Sequence, residues 1–456
     1  MWESPIYRFR IPKDESPKLK EIVIDVTGSA PRFDEPSDAL QEILLDIFNS
    51  GNFKKVDTVI EVGAAKLKNI PFILDKGKTV CAVEFKELMD NYHTKKNIEK
   101  CEKYKSKFQP IVFPNPFISD TKKFDLAMLI NVPPIMPVFA ERLYLLNLLY
   151  EKVNDGKYLL WVAQKEGSYK AVRESGKFIC GDGVWRGETR HFKTFYKYHT
   201  VDELNEIMSL YGFKRIKRFN VQDDAFLYEK TEHNIFSDMI TPEKIRKYIP
   251  VEESIKESKS TKRLTFVKES STIKSIIPNP KELLLENLYI EKIKSIPTGI
   301  EHAEIYHRVV SHALARIFRG SLKNMEIKVE IDGGIKIIDT LFVNYAKDGF
   351  FSNLRGRAEC SFPMVEVKNI SDDPANADFD QLNGRLNTNH GQFGMLICRK
   401  VDDENRAYAR CKTYLSDRHI MFLTDKDIFE LLEYSLENNQ DEINALMDRR
   451  LTKIIF

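Results

Sequence analysis

No stretch of this chain approaches the roughly 20 consecutive apolar residues that a bilayer-spanning helix needs. The opening MWESPIYRFRIPKDESPK also has no apolar core long enough for a signal peptide. Cysteine is scarce: the six (Cys81, Cys101, Cys180, Cys360, Cys398, Cys411) include no CxxC pair, and several lie in apolar runs. That spacing excludes a zinc ribbon or a disulfide framework and reads as reduced core thiols. An excess of either charge sign is nearly lacking too, the net value being +2, so any contact with nucleic acid has to come from local patches. There is no internal repeat and no long low-complexity tract. These absences leave a soluble, cytoplasmic protein with no membrane partner as the expectation.

What is present is enough apolar residue, 42% of 456 positions, for two or three ordinary cores. The texture divides the chain into an extension (1–39), a first domain (40–230), a linker or arm rich in Lys, Ser and Glu (231–285) and a second domain (286–456). In the first domain, PSDALQEILLDIFNSG places Ser37 as a helix cap ahead of Leu40, Ile43, Leu44 and Ile47 at helical spacing. VDTVIEVGAAKLKNIPFILDKGKTVCAVEF follows as strand, loop, helix and strand, with Glu84 at the end of the second strand. FDLAMLINVPP, a helix from about 137 to 153, NDGKYLLWVAQ, VDELNEIMSLYGF and DAFLYEK continue the alternation. Such units build a doubly wound parallel sheet whose ligands bind at the carboxyl ends of the strands.

That order resembles a class I S-adenosylmethionine-dependent methyltransferase. The resemblance implies that Glu61 and Gly63 belong to the cofactor loop, that Glu84 holds the ribose hydroxyls, and that Asp125 and Asn131 fall at the fourth motif. It departs from the family in keeping one glycine, Gly63, before Ala64-Ala65-Lys66-Leu67, and in carrying Asn131-Val132-Pro133-Pro134 where base-modifying amino-methyltransferases have an uninterrupted NPPY or DPPY. The segment from Tyr169 to Thr200 interleaves Lys, Arg and His with aromatics. It suits either a groove for nucleic acid or substrate, or an insertion covering the sheet edge.

In the second domain, IKVEIDGGIKIIDTLFVN reads as a hairpin turning at Asp332-Gly333-Gly334. FPMVEVKNISDDPANADFDQLNGRL then gives a strand on which period two puts Glu366 and Lys368 on one face and Val365 and Val367 on the other. If the hairpin's return strand lies alongside, Asp339 approaches Glu366, and two carboxylates that close suit a divalent cation. An isolated ExK in a chain with 30% charged residues also arises on solvated faces, whereas Asp339 between IKII and TLFV is costly to bury unpaired. His307 and His312, beside the apolar stripe of EHAEIYHRVVSHALARIF, read as packing or surface residues.

These elements resemble the PD-(D/E)XK nuclease superfamily, with Asp339, the Glu366-Val367-Lys368 triplet, Gln381 on a following helix and Glu304 on a first helix. Ile338 stands in place of the motif's proline. The resemblance implies Mg²⁺ or Mn²⁺ held by Asp339, Glu366, the Val367 carbonyl and Glu304, with Lys368 and Gln381 acting on water and phosphate. The fold expected is α/β throughout: a Rossmann-like methyltransferase fold followed by a restriction-endonuclease-like one. The function expected is a metal-dependent DNA endonuclease with an appended methyltransferase-like domain, serving restriction or anti-phage defence, as a homodimer or with other subunits of a defence complex. Two alternatives stay open: an active S-adenosylmethionine-dependent methyltransferase with a DNA-binding C-terminal domain, and a non-catalytic assembly module.

Overall fold

Apolar runs such as TVIEV, FDLAMLI and YLLWVA are hydrophobic on both faces, as strands covered on both sides must be. In the computed structural model they form the centre of a seven-stranded sheet. The structure describes residues 5–13, 16–29, 35–167, 169–231, 234–245, 274–276, 284–388, 391–416 and 418–456. The chain divides into two units, Met1–Glu282 and Leu283–Phe456.

Unit 1 holds strands β1 (Ile6–Lys13), β2 (Ser16–Asp25), β3 (Thr58–Val62), β4 (Thr79–Phe85), β5 (Phe108–Phe113), β6 (Phe124–Ile130) and β7 (Val153–Ala163). They are followed by β8 (Ile179–Cys180), β9 (Gly183–Arg186), β10 (Thr194–Tyr196), β11 (Phe213–Asn220), β12 (Asp224–Lys230) and β13 (Lys274–Ile276). The main sheet runs β11-β12-β7-β6-β3-β4-β5, parallel from β7 to β5, with β12 antiparallel to both its neighbours. Order reverses between β3, which is followed outward by β4 and β5, and β6 on its other side. In open α/β sheets the ligand crevice forms at this switch.

Ser37 does cap the first helix, Asp38–Asn49, its Oγ accepting from Leu40 N–H at 3.3 Å. The helix buries Leu40, Ile43, Leu44 and Ile47 against the sheet. Residues 1–39 supply β1 and β2 to unit 1, and β2 is tied to the segment before β10 by hydrogen bonds between Asp25 N and Lys193 O and between Lys193 N and Val23 O. Of the stretch read as a linker, 234–245 packs on unit 1 with Ile235, Phe236 and Ile240 buried, and β13 pairs parallel with β1. Residues 246–273 and 277–283 lie outside the described residues.

Unit 2 is a five-stranded sheet in the order β14 (Leu322–Ile331), β15 (Lys336–Asn344), β16 (Met364–Lys368), β17 (Phe393–Cys398) and β18 (His419–Thr424). The first three strands are antiparallel neighbours and the last three parallel ones. The hairpin turns at Asp332–Gly334 with Gly333 at φ 71° and Gly334 at φ 87°, a conformation glycine adopts without Cβ strain. Helices Leu285–Ser295, Ala303–Ile317 and Asp425–Leu436 pack on one another, while Asn376–Asn383 lies on β16, β17 and β18. That last approach needs Gly394: a Cβ there would stand 2.9 Å from Leu382.

Removing the cap with Ser37→Ala is expected to lower the stability of unit 1 by about 1 kcal/mol. The midpoint of urea unfolding, followed by circular dichroism, measures it.

Candidate functional sites

In unit 1 the carboxyl ends of β3, β4 and β6 open into a cavity of about 350 Å³, within the range of small-ligand sites. Glu61, Gly63, Glu84 and Asn131 all line it. The loop after β3 starts at Gly63, whose N–H donates to Val83 O at 2.9 Å and whose φ is 70°. Val132 packs directly on it, for a Cβ on Gly63 would lie 2.3 Å from Val132 Cγ2. The missing glycines of this loop are replaced by residues that still bend into the left-handed region, Ala65 at φ 49° and Leu67 at φ 58°. Leu67 and Ala64 are buried, so core packing holds the bend.

Two carboxylates stand at the cavity's floor. Glu84 Oε2 accepts from Ala65 N–H at 2.6 Å and Oε1 from Phe85 N–H at 2.8 Å, which ties the loop to the end of β4. Glu61 Oε1 accepts from Asn69 Nδ2 at 2.5 Å. Its Oε2 and Asn69 Oδ1 are buried without a hydrogen-bond partner among the described residues. Desolvation pushes both carboxyls up to about 7, against the hydrogen bonds that favour ionisation. Asn131, at φ 58°, uses Oδ1 to accept from Gln164 N–H at 3.0 Å.

Asp125 does not join this group, which corrects the expectation that it binds cofactor. β6 runs from Phe124 to Ile130, so Asp125 stands at its entry and Asn131 just past its exit, about 20 Å apart at ~3.3 Å per residue. There it accepts from Asp57 N–H and Thr58 N–H at 2.9 and 3.1 Å and pins the start of β3. Burial works to raise its carboxyl, but these amides, Asn154 and Lys157 outweigh it and hold it below the usual range. The opposite wall comes from segments whose part in the site sequence left open: Tyr7 of β1, and Arg186, Phe195 and Tyr196 of the small β8-β9-β10 sheet. The Arg186 guanidinium lies over the Tyr196 ring at 5.0 Å.

In unit 2, Thr340 pairs with Val365 and Leu341 with Met364, so the next position brings Asp339 alongside Glu366. Asp339 Oδ2 accepts from Val367 N–H at 3.1 Å. Lys368 Nζ lies 3.0 Å from Glu366 Oε1 and donates to Gln381 Oε1 at 2.6 Å. Asp339, Glu366, Lys368 and Gln381 are thus one cluster.

Lys328 and Arg385, which the sequence analysis did not name, complete the cluster. Lys328, opposite Asp339 on β14, donates to Asp339 Oδ1 at 2.9 Å. Arg385 lies just past the helix end and binds Glu366 Oε2. His307, read as packing or surface, is buried with Nε2 3.0 Å from Thr340 Oγ1. Burial tends to raise the Asp339 carboxyl, but His307, Lys328 and the Val367 amide hold it below the usual range. Glu304 meets the cluster at Lys328, 3.9 Å away, with its side chain 66% exposed. Period-two pairing across the hairpin could have pointed to Lys328, because it faces Asp339 in an antiparallel register.

Among the described residues no group of three or more His, Cys, Asp or Glu side chains is arranged to hold a metal ion. Two carboxylates do match the chemistry of Mg²⁺, which keeps most of its waters and takes one or two carboxylate ligands. Lys328 on Asp339 is a half-exposed ammonium that a stronger cation can displace.

No protein-family model matches the chain, and no curated protein matches it. Among solved structures it is similar to an S-adenosylmethionine-dependent methyltransferase of Methanosarcina mazei, at 15% identity over 40% of this chain and 96% of that one, with a TM-score of 0.32. It is also similar to the CcbJ methyltransferase of Streptomyces caelestis, at 13% identity over 46% and 96% of the two chains, with a TM-score of 0.33. A third is the magnesium protoporphyrin IX methyltransferase of Synechocystis, at 14% identity over 42% and 81%, with a TM-score of 0.32. Among the described residues no helix is long and apolar enough to cross a membrane.

Glu61 and Glu84 titrate near 7 in the fold against 4.5 for the free side chain. The folded state therefore binds more protons, and the stability this gives is complete below about 4.5 and lost as pH rises through about 7. Unit 1 is expected to melt at a higher temperature at mildly acidic than at mildly alkaline pH. Glu61→Gln should remove part of the difference, as read by differential scanning fluorimetry across that window.

Proposed function

We propose that unit 1 binds S-adenosylmethionine and acts as a methyltransferase-like domain. The observation that carries this is the cavity at the switch point of the sheet, floored by Glu61 and Glu84. Glu84 would accept from the ribose hydroxyls with the lone pairs its two backbone amides leave over. Glu61, with one unpartnered oxygen, would take the amino end, and binding a cationic group there would offset the cost of burying its charge. The cofactor, when bound, supplies an electrophilic methyl group on a sulfonium. The chain's own part is to orient it against the acceptor beside Asn131 and to exclude water with Phe113, Met136 and Phe195. Titration with S-adenosylhomocysteine, measured calorimetrically, tests this: wild type should bind and Glu84→Ala should bind about 10- to 100-fold more weakly. No heat at millimolar ligand would sink it.

A second activity is favoured by a separate observation, the convergence of Asp339, Glu366, Lys368 and Gln381 in unit 2. We infer a phosphodiester hydrolase acting on DNA, and from the pairing of such a unit with a methyltransferase-like one, a role in restriction or anti-phage defence. Asp339 and Glu366 would hold Mg²⁺, which lowers the pKa of a bound water and neutralises charge on the phosphate. Lys328, Lys368 and Arg385 each meet one of the two carboxylates, and Lys328 and Lys368 also reach Glu304 and Asp378 at 3.9 and 3.5 Å, so these cations would turn to a phosphate dianion in the transition state as the carboxylates take up the metal. Lys368, fixed by Gln381, would hold the attacking water in line with the phosphorus: the water oxygen would bond to phosphorus and release a proton to solvent as the bond to the leaving oxygen breaks and that oxygen takes a proton from solvent. Asp339→Ala and Lys368→Ala should each abolish Mg²⁺-dependent cutting of plasmid DNA and keep the wild-type circular dichroism spectrum. Undiminished cutting by either variant rules the assignment out.

A further inference from the structure

β16, β17 and β18 run parallel and end on one edge of the unit 2 sheet. Each is finished by cations: Lys368 is the last residue of β16, Arg399 and Lys400 follow β17, and Lys426 stands two residues past β18. Beyond β18 this edge opens into a cavity of about 430 Å³ between helices Glu404–Lys412, Asp425–Leu436 and Gln440–Ile455. Its wall carries Arg399, Lys400, Lys426, Arg449, Arg450 and Lys453 against three carboxylates, Glu404, Asp427 and Glu430. None of these wall residues belongs to the Asp339 and Glu366 cluster.

The six cations divide by what they already do. Arg450 binds Asp427 through Nε and Nη2 at 3.0 and 2.6 Å, and Asp427 in turn caps its helix through Thr424. Arg399 donates to the Ile293 and Ile296 carbonyls and lies over the Tyr306 ring. Those two arginines are structural and are mostly buried. The other four line the mouth. Lys400, Arg449 and Lys453 are more than half exposed and each meets a carboxylate, Asp402, Glu430 or Glu404, that is itself in contact with water. Exposed pairs of this kind are worth at most about 1 kcal/mol, so a phosphate can exchange for them. Lys426 is exposed, with no ion pair among the described residues.

We propose that this cavity is a second anion site of unit 2, seating a phosphate of a nucleic-acid duplex backbone through Lys400, Lys426, Arg449 and Lys453. Strands lie about 4.8 Å apart, so β18 ends about 10 Å from β16. A backbone lying over Lys368 therefore reaches the cavity one or two phosphates further on. The phosphate chemistry stands on the cavity alone, and the identity of the polymer rests on the nuclease reading of the same unit.

The experiment measures duplex DNA binding by fluorescence anisotropy across a salt series, in chelator, so that no cutting intervenes. The double variant Lys426→Ala with Arg449→Ala is compared with wild type and with an equal charge loss on unit 1, Lys100→Ala with Lys105→Ala. The cavity variant should lose about one unit of log–log salt slope for each contact removed and bind about ten-fold or more weakly at low salt. The unit 1 control should keep the wild-type slope. An unchanged slope and affinity in the cavity variant overturn the proposal even if wild type cuts DNA, as does failure of wild type to bind duplex at low salt. A slope lost in a protein that never cuts DNA leaves the anion site standing and removes the nuclease reading alone.

Discussion

Burying a carboxylate on a strand of the sheet is the constraint from which both sites follow. A charge taken out of water must be neutralised or paired, and the two units answer differently. In unit 1, Glu61 and Glu84 sit in an apolar cavity and meet this cost largely by holding their protons to about 7. In unit 2, Glu366 is as deeply buried but lies between Lys368 and Arg385, and Asp339 lies between Lys328 and a backbone amide.

That difference sets what each site can receive. A pocket floored by carboxyls poised to ionise rewards a ligand with hydroxyl donors and a cationic end. In unit 2, Lys328, Lys368 and Arg385 already meet the two carboxylates, and the proposed metal would displace the loosest of them. Lys328 is that loosest partner, since Arg385 and Lys368 meet a carboxylate 2% exposed, whereas Lys328 is half in water.

The scaffolds place these groups by register more than by loop chemistry. Thr340 opposite Val365 is enough to bring Asp339 to Glu366. A one-residue slip would turn Asp339 to the other face. In unit 1 the bend after β3 is held by Leu67 and Ala64 in the core, which is how a loop with one glycine still keeps its backbone open toward the cavity.

The amino-acid sequence by itself determined the local elements and the pairs close in the chain. The cap at Ser37, the glycine turn at Gly333, the shared face of Glu366 and Lys368, and the strand ends carrying Glu61 and Glu84 follow from periodicity and backbone preference, which act over a few residues. Tertiary structure decided what depends on distant segments meeting. It sent Asp125 to the far end of the sheet from Asn131, because one strand separates them by its full length. It brought His307 and Arg385 to the cluster and lined the unit 1 cavity with Tyr7 and Tyr196. Such placements are set by strand order and packing across the sheet, which no local pattern encodes.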